Sequence, residues 1–215
     1  MEISANTVKE LREKTGAGIL DCKKALDQSG GDMEKALTYL REKGLAAAQK
    51  KATRTTSEGT VTSYIHGNGK IGVLLEVNCE TDFVAKTDGF NDLVRDIAMH
   101  IAAMSPLYVS RSEVGADVIE KEKEIYKVQA KESGKPDNVI AKIAEGKLEK
   151  FYKDVCLLEQ SFVKNPDITI EKLVTEAVVK LGENITVRRF VRYKVGEGIE
   201  KKVTDFAKEV AAAQG

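Results

Sequence analysis

Apolar positions in the first 44 residues recur at helical spacing in three short blocks. Val8 and Leu11 open the first, with Thr7 followed by Glu10 reading as a capping box, and it stops at Thr15-Gly16-Ala17-Gly18. Ile19, Cys22, Ala25 and Leu26 form the second, up to Gly30-Gly31. Asp32 then caps a third, carrying Met33, Ala36, Leu37 and Leu40 before Gly44. Helices of about three turns do not persist alone in water, so the three are expected to pack as a small bundle over 1–44. The composition changes over 45–58, where Ala46 to Ala48 and Gln49-Lys50-Lys51 can be helical and the Thr/Ser-rich tail reads as a linker. That places a boundary near residue 54.

From Val61 the period becomes two. Val61, Ser63 and Ile65 lead into Gly67-Asn68-Gly69, and Ile71, Val73, Leu75, Val77 and Cys79 follow, predicting a β-hairpin. Phe90, Leu93, Val94, Ile97 and Ile101 mark one face of a helix that starts near Thr87 or Asp88. A charge-laden helix around Glu120 to Ile125 and a better striped one carrying Ile140, Ile143, Ala144, Leu148, Phe151 and Val155 flank a bend at Gly134-Lys135-Pro136, predicting an antiparallel helical hairpin. Thr169 caps a helix through Leu173, Ala177 and Leu181 that Gly182 stops. The alternating run Ile185 to Val195 is a third long strand, expected in one sheet with the hairpin. Val203, Phe206, Ala207 and Val210 repeat at helical spacing in the closing stretch. The class is therefore α+β: a three-helix bundle, a core over 59–198 with a three-stranded antiparallel sheet packed with helices and a helical hairpin, and a short C-terminal module over 199–215.

Charge narrows the function. The 215 residues carry 34 Lys+Arg against 34 Asp+Glu, so no basic surplus supports tracking a nucleic-acid backbone. Three cysteines without a C-x-x-C pair fit neither a disulfide framework nor a zinc knuckle, and a reducing cytoplasm is the expected compartment. No apolar run approaches the length of a membrane span. A literal G-x-G-x-x-G at Gly67 to Gly72 is followed by strand alternation instead of a helix, so it reads as a hairpin turn. His66 and Cys79 would lie about 30 Å apart at opposite ends of that hairpin, which excludes them as a nucleophile pair. His100 reads as core or surface. No Walker motif, metal cluster, catalytic constellation or cofactor site is expected.

Two segments stand out. Asn78 to Lys86 puts Asp82 and Phe83 between a strand and a helix. One reading tucks the Phe under the sheet and has the Asp cap a turn; the other projects both as an acid and aromatic pair that wedges into a partner. Lys14 to Ile19 is either a plain helix-helix turn or a protein-docking edge with Ile19 or Leu20 exposed.

These segments carry a resemblance. Val8 to Gly18 with Asp21 to Leu26, and Leu75 to Ala85, resemble the two signatures of the elongation factor Ts family, and the likeness continues through Ser133 to Pro136, Phe162-Val163 and Arg192 to Glu200. The resemblance implies a guanine-nucleotide exchange factor, not an enzyme, whose partner is elongation factor Tu, GDP-bound and nucleotide-free. It implies that the bundle is similar to a ubiquitin-associated domain and docks on the partner's GTPase domain through Leu11, Arg12, Gly16, Gly18, Ile19 and Leu20. Thr81, Asp82, Phe83 and Val84 would form the second contact, with Phe83 inserted between partner helices and Asp82 engaging polar groups beside them, disturbing the loops that hold Mg²⁺ and the GDP β-phosphate. The C-terminal stretch from Ile199 looks like a module that reinforces the grip. Longer family members carry two related halves in the core, whereas this chain resembles the short form with one. A single half that needs a second copy makes homodimerisation and a two-plus-two complex the hypothesis that follows. The competing expectation, from another class, is a non-exchanging adaptor or chaperone that only tethers a partner.

Overall fold

The structure is a computed structural model that describes residues 3–131 and 136–200. The expected bend at Gly134-Lys135 and the closing apolar repeat of Val203 to Val210 lie outside the described residues.

Helices α1 (Ala5–Thr15), α2 (Ile19–Gln28) and α3 (Met33–Lys51) form the N-terminal bundle. Leu11, Cys22, Ala25, Leu26 and Ala36 are its fully buried centre, and Met33, Leu37 and Leu40 pack around them. Asp32 caps α3 as expected, its Oδ1 accepting from the Glu34 and Lys35 amides at 3.0 and 3.1 Å. Two local expectations are corrected. The cap of α1 is Ser4, whose Oγ accepts from Thr7 N at 3.1 Å, and Thr7 lies inside the first turn. Starting one turn earlier lets Ile3 before the cap and Val8 four positions after it both pack on the bundle core, in the manner of a hydrophobic staple. Helix α3 also runs straight through Gly44 to Lys51. Gly44 is buried against α8 (Ile170–Leu181), where an added Cβ would stand 3.2 Å from both Val179 methyls. It sets the spacing of two helices and ends neither. Ala48, one turn further on, packs against the main core, so one helix serves both the bundle and the sheet layer.

Strands β1 (Glu58–His66), β2 (Ile71–Cys79) and β5 (Ile185–Lys194) form an antiparallel sheet in the order β1-β2-β5. The Gly67-Asn68-Gly69 turn has φ of 60°, 55° and 83°, left-handed positions that glycine and asparagine tolerate best. In β2 the inward residues Val73, Leu75, Val77 and Cys79 meet Phe90, Leu93, Val94, Ile97 and Ile101 of α5 (Asp88–Met104) and Ile170 and Val178 of α8. Strand β5 does not keep a strict alternation. Glu76 pairs with Arg189 and Val77 with Val187, which makes Arg188 a bulge residue. After it the parity flips: Val187 and Phe190 pack on the core, while Val191 and Tyr193 face solvent. Both bulge arginines reach Glu76, at 3.5 Å from Arg188 and 2.6 Å from Arg189.

Helices α6 (Ala116–Lys131) and α7 (Asp137–Val155) form the expected hairpin around its own small core of Val114, Tyr152 and Cys156. Its base is anchored by Arg111, which forks to Glu149 at 2.9 and 2.7 Å, also bonds Glu159, and lies 4.4 Å over the Tyr152 ring. A two-stranded ribbon, β3 (Ser161–Phe162) with β4 (Asn165–Thr169), and a four-residue helix α4 (Asp82–Ala85) are elements that periodicity did not foresee.

His100 is fully buried in α5. Its Nδ1 accepts from Val163 N at 3.2 Å, which assigns the proton to Nε2, 3.0 Å from Gln160 Oε1. Burial pushes the imidazole below its ordinary value. The unfolded chain therefore takes up this proton near pH 6.5, before the folded one does. Stability is expected to be fully present above that pH and to fall as the pH drops toward the folded pKa. Urea unfolding at pH 7.5 and 5.5 checks the sign, and ring nitrogen shifts should show His100 taking up its proton at a lower pH in the folded protein than in the urea-unfolded chain.

Candidate functional site

The hairpin delivers the chain to α4 through Glu80, on the far side of the fully buried Cys79. Thr81 caps α4, its Oγ1 accepting from Val84 N at 3.4 Å. Successive helical residues turn by about 100°, so Val84 and Ala85 point back onto the core while Phe83 points out. Phe83 is 79% exposed, and of the two readings of this segment the tucked ring is not what the fold adopts. Beside it, Lys86 Nζ donates to Asp82 Oδ2 at 2.6 Å, a hydrogen bond that holds the Asp82 carboxyl below the usual carboxylate range and raises the lysine. Both groups are open to solvent.

Residues remote in sequence support this mount. Glu183 accepts from Thr81 Oγ1 at 2.6 Å and from Thr81 N at 3.0 Å. Glu80 Oε1 accepts from Asn184 N at 2.6 Å and is ion-paired with Arg54. Thr87 Oγ1 donates to Val84 O at 2.8 Å and caps α5, closing the other side. Sequence reasoning missed Glu183, Asn184, Glu80 and Arg54. The only signal was Gly182, which predicts a helix end, and nothing in the spacing says where the next two side chains reach.

At the bundle edge, Gly16 closes α1 with φ of 67°, its N donating to Arg12 O at 2.7 Å, and Gly18 is the residue before α2. The short path between them puts Ile19 and Leu20 in the first turn of α2 at 57% and 73% exposure. Arg12 is exposed alongside. Leu11, grouped with this edge by resemblance, is instead fully buried, because position 11 lies on the face of α1 that meets Cys22 and Leu26. Its part is to hold the edge from beneath.

Reactive groups are withdrawn from these surfaces. Burial pushes the Cys79 thiol up, and its S–H donates to Thr81 O; the Cys156 thiol is pushed up to about 11 by burial and Glu159. Among the described residues no His/Cys/Asp/Glu group is arranged to hold a metal, and no helix is long and apolar enough to cross a membrane.

The class so defined is an α+β protein with an N-terminal three-helix bundle that offers solvent apolar side chains on braced mounts. The chain belongs to the elongation factor Ts family: the family model described as Elongation factor TS matches residues 22–197. It is 63% identical to the elongation factor Ts of Geotalea daltonii over 215 residues, the whole of both chains. Identity to the Geobacter metallireducens protein of that name is also 63% over the whole of both, and to the Carboxydothermus hydrogenoformans protein 63% over 211 residues, 98% and 97% of the two chains. Membership makes it an elongation factor of protein biosynthesis, in a family of guanine-nucleotide exchange factors and not of catalytic enzymes.

Burial separates the two kinds of residue drawn from the motifs. Leu11→Ala should cost about 2–5 kcal/mol of stability, and Phe83→Ala less than about 0.5 kcal/mol. Urea unfolding of the two variants reads the contrast directly.

Proposed function

We propose that the chain docks on elongation factor Tu and speeds GDP release by wedging Phe83 and Asp82 between partner helices, disturbing the loops that hold Mg²⁺ and the β-phosphate. The observation that carries this reading is a large aromatic left in water on a mount braced from several sides. Thr81 and Val84 hold that mount, while Arg12, Gly16, Gly18, Ile19 and Leu20 form the second contact, on the partner's GTPase domain. The stretch from Ile199 adds a third.

Exchange by such a device needs no bond chemistry. The factor binds the nucleotide-free partner more tightly than the GDP-bound one, and by reciprocity GDP weakens the factor's hold by the same coupling free energy. An aromatic anchor is worth about 2 kcal/mol or more, and each 1.4 kcal/mol is a factor of ten. Phe83→Ala is therefore expected to slow labelled-GDP release from elongation factor Tu tenfold or more while the protein stays folded. Release at the parent rate would show the wedge assignment to be wrong. A factor that bound without accelerating release at all would be the tethering adaptor.

A second reading, homodimerisation and a two-plus-two complex, is favoured by the outer face of the sheet. There the cross-strand rows Ile65, Gly72, Tyr193 and Ser63, Leu74, Val191 leave four large apolar side chains toward solvent, with Tyr193 at 74% exposure. The isolated protein is expected to scatter light at twice its 23.5 kDa chain mass, and Leu74→Lys to return it to the monomer. A monomer at micromolar concentration would sink this reading and leave the exchange reading untouched.

A further inference from the structure

Helix α4 has only four residues, and its closing bonds, Ala85 N to Thr81 O and Lys86 N to Asp82 O, are both long at 3.3 Å. So short a helix does not hold its own direction. The strongest hold on its start comes from Glu183, 102 residues away in the chain, whose two carboxylate oxygens take the backbone N–H and the hydroxyl of Thr81. Charge-assisted bonds to a partly buried carboxylate are among the stronger ones available. Glu183 does not serve to end α8, because Gly182 already does so with φ of 81° and its N–H on Val178 O.

The neighbouring Asn184 is 5% exposed and ties a different element to the same turn. Its Nδ2 donates to Arg54 O at 2.8 Å and Ala52 O at 3.4 Å, just past the end of α3, and its N–H holds Glu80. Two adjacent residues of the α8–β5 turn thus bind the start of the Phe83 mount and the exit of the helix that carries the bundle.

We propose that Glu183 is a positioning residue for nucleotide exchange: by clamping Thr81 it aims Phe83 relative to the bundle, with Asn184 securing the other side of the joint. The inference rests on Phe83 being the wedge. Losing the clamp leaves Phe83 present but wrongly aimed, so the encounter through the bundle persists while the release step suffers.

The test measures labelled-GDP release from elongation factor Tu against factor concentration, for the full chain and for Glu183→Ala, Thr81→Val, their combination and Phe83→Ala. Glu183→Ala and Thr81→Val should each lower the maximal rate about tenfold with the half-saturating concentration changed less than threefold. The combination should be worse than either single change but by less than the product of the two effects, since the hydroxyl–carboxylate bond is lost in both, while Thr81→Val alone removes the cap on Val84 N and Glu183→Ala alone removes the acceptor of Thr81 N. Amide hydrogen exchange should speed at Val84 and Ala85 in Glu183→Ala and stay slow in β2, which a general loss of stability would not do. Glu183→Gln, which keeps the volume and one acceptor oxygen, should fall between parent and alanine and serves where alanine does not fold. If Phe83→Ala slows release and the Glu183 variants do not, the positioning role is wrong and the wedge stands. If Phe83→Ala releases GDP at the parent rate, both fall together.

Discussion

A helix of four residues has too few internal hydrogen bonds to fix a direction in water, and the rest of the functional surface depends on how that deficit is met. In α4 the direction is imposed from outside. Val84 and Ala85 are pressed onto the sheet layer, Thr81 is clamped by Glu183, and Thr87 closes the far end against Val84 O. The Cα–Cβ bond of Phe83 is then directed away from the core, and the ring stands 79% exposed. An exposed Phe forgoes the roughly 1.5–3 kcal/mol that burying such a side chain contributes, and that is the free energy a partner surface recovers when it covers the ring. A ring on a wandering loop would lose part of the gain to ordering; on this mount the ordering is already done.

The same reasoning extends to the bundle. Its helices are short enough to need one another, yet α3 continues past them for two further turns and lies on α8. Gly44 permits the close approach and Ala48 adds to the main core, so the bundle is joined by packed helix as well as by covalent linker. Asn184 then fastens the chain where α3 ends. Ile19 and Leu20 at one end and Phe83 at the other consequently stand on one frame. Two weak contacts on a shared frame act at high effective concentration once either has formed, so neither projection needs to be large.

Much of this was legible in the chain, and the misses share a cause. Periodicity of two or 3.6 is imposed by a buried face, and β2, α5, α7 and α8 could be read from the apolar stripes of such faces; β1 was legible from its alternation, although the stripe of Val61 and Ile65 lies on the solvent side and Tyr64 faces the core. Caps were legible where side chain and helix are adjacent, as at Asp32, Thr87 and Thr169. What escaped was set by contacts distant in sequence. Gly44 looks like a terminator until α8 is laid against it; Arg188 becomes a bulge only opposite Glu76; α4 is too short for any period, and Glu183, which holds its capping residue Thr81, lies 102 residues away. The alternation of β5 concealed the parity change, and with it the turn of Val191 and Tyr193 toward solvent. At the site, Phe83 and the Ile19-Leu20 pair could be singled out from sequence as notable, but both readings of each stayed open, because exposure is a property of the packed whole.

Magnitude decides how the work is divided. Accelerating release a thousandfold requires about 4 kcal/mol of preference for the nucleotide-free partner, and one aromatic anchor contributes about half of that. If Phe83 is the wedge, as proposed, the remainder has to come from contacts that exist only when it is seated, which favours a factor that grips at more than one place over one with a larger wedge. Electrostatics is poorly suited to supply it here. The first 54 residues carry 11 Lys+Arg against 8 Asp+Glu and the whole chain balances to zero, so long-range attraction is modest. The Asp82–Lys86 pair beside Phe83 is exposed and neutralises itself in the free protein. Breaking that pair against a partner exchanges one solvated contact for another, so it neither adds much to the grip nor opposes it strongly. In the proposed mechanism charge therefore governs orientation and encounter rate, and the differential grip that would expel a nucleotide falls to shape: a ring held outward, and a frame that keeps it at a set distance from the bundle.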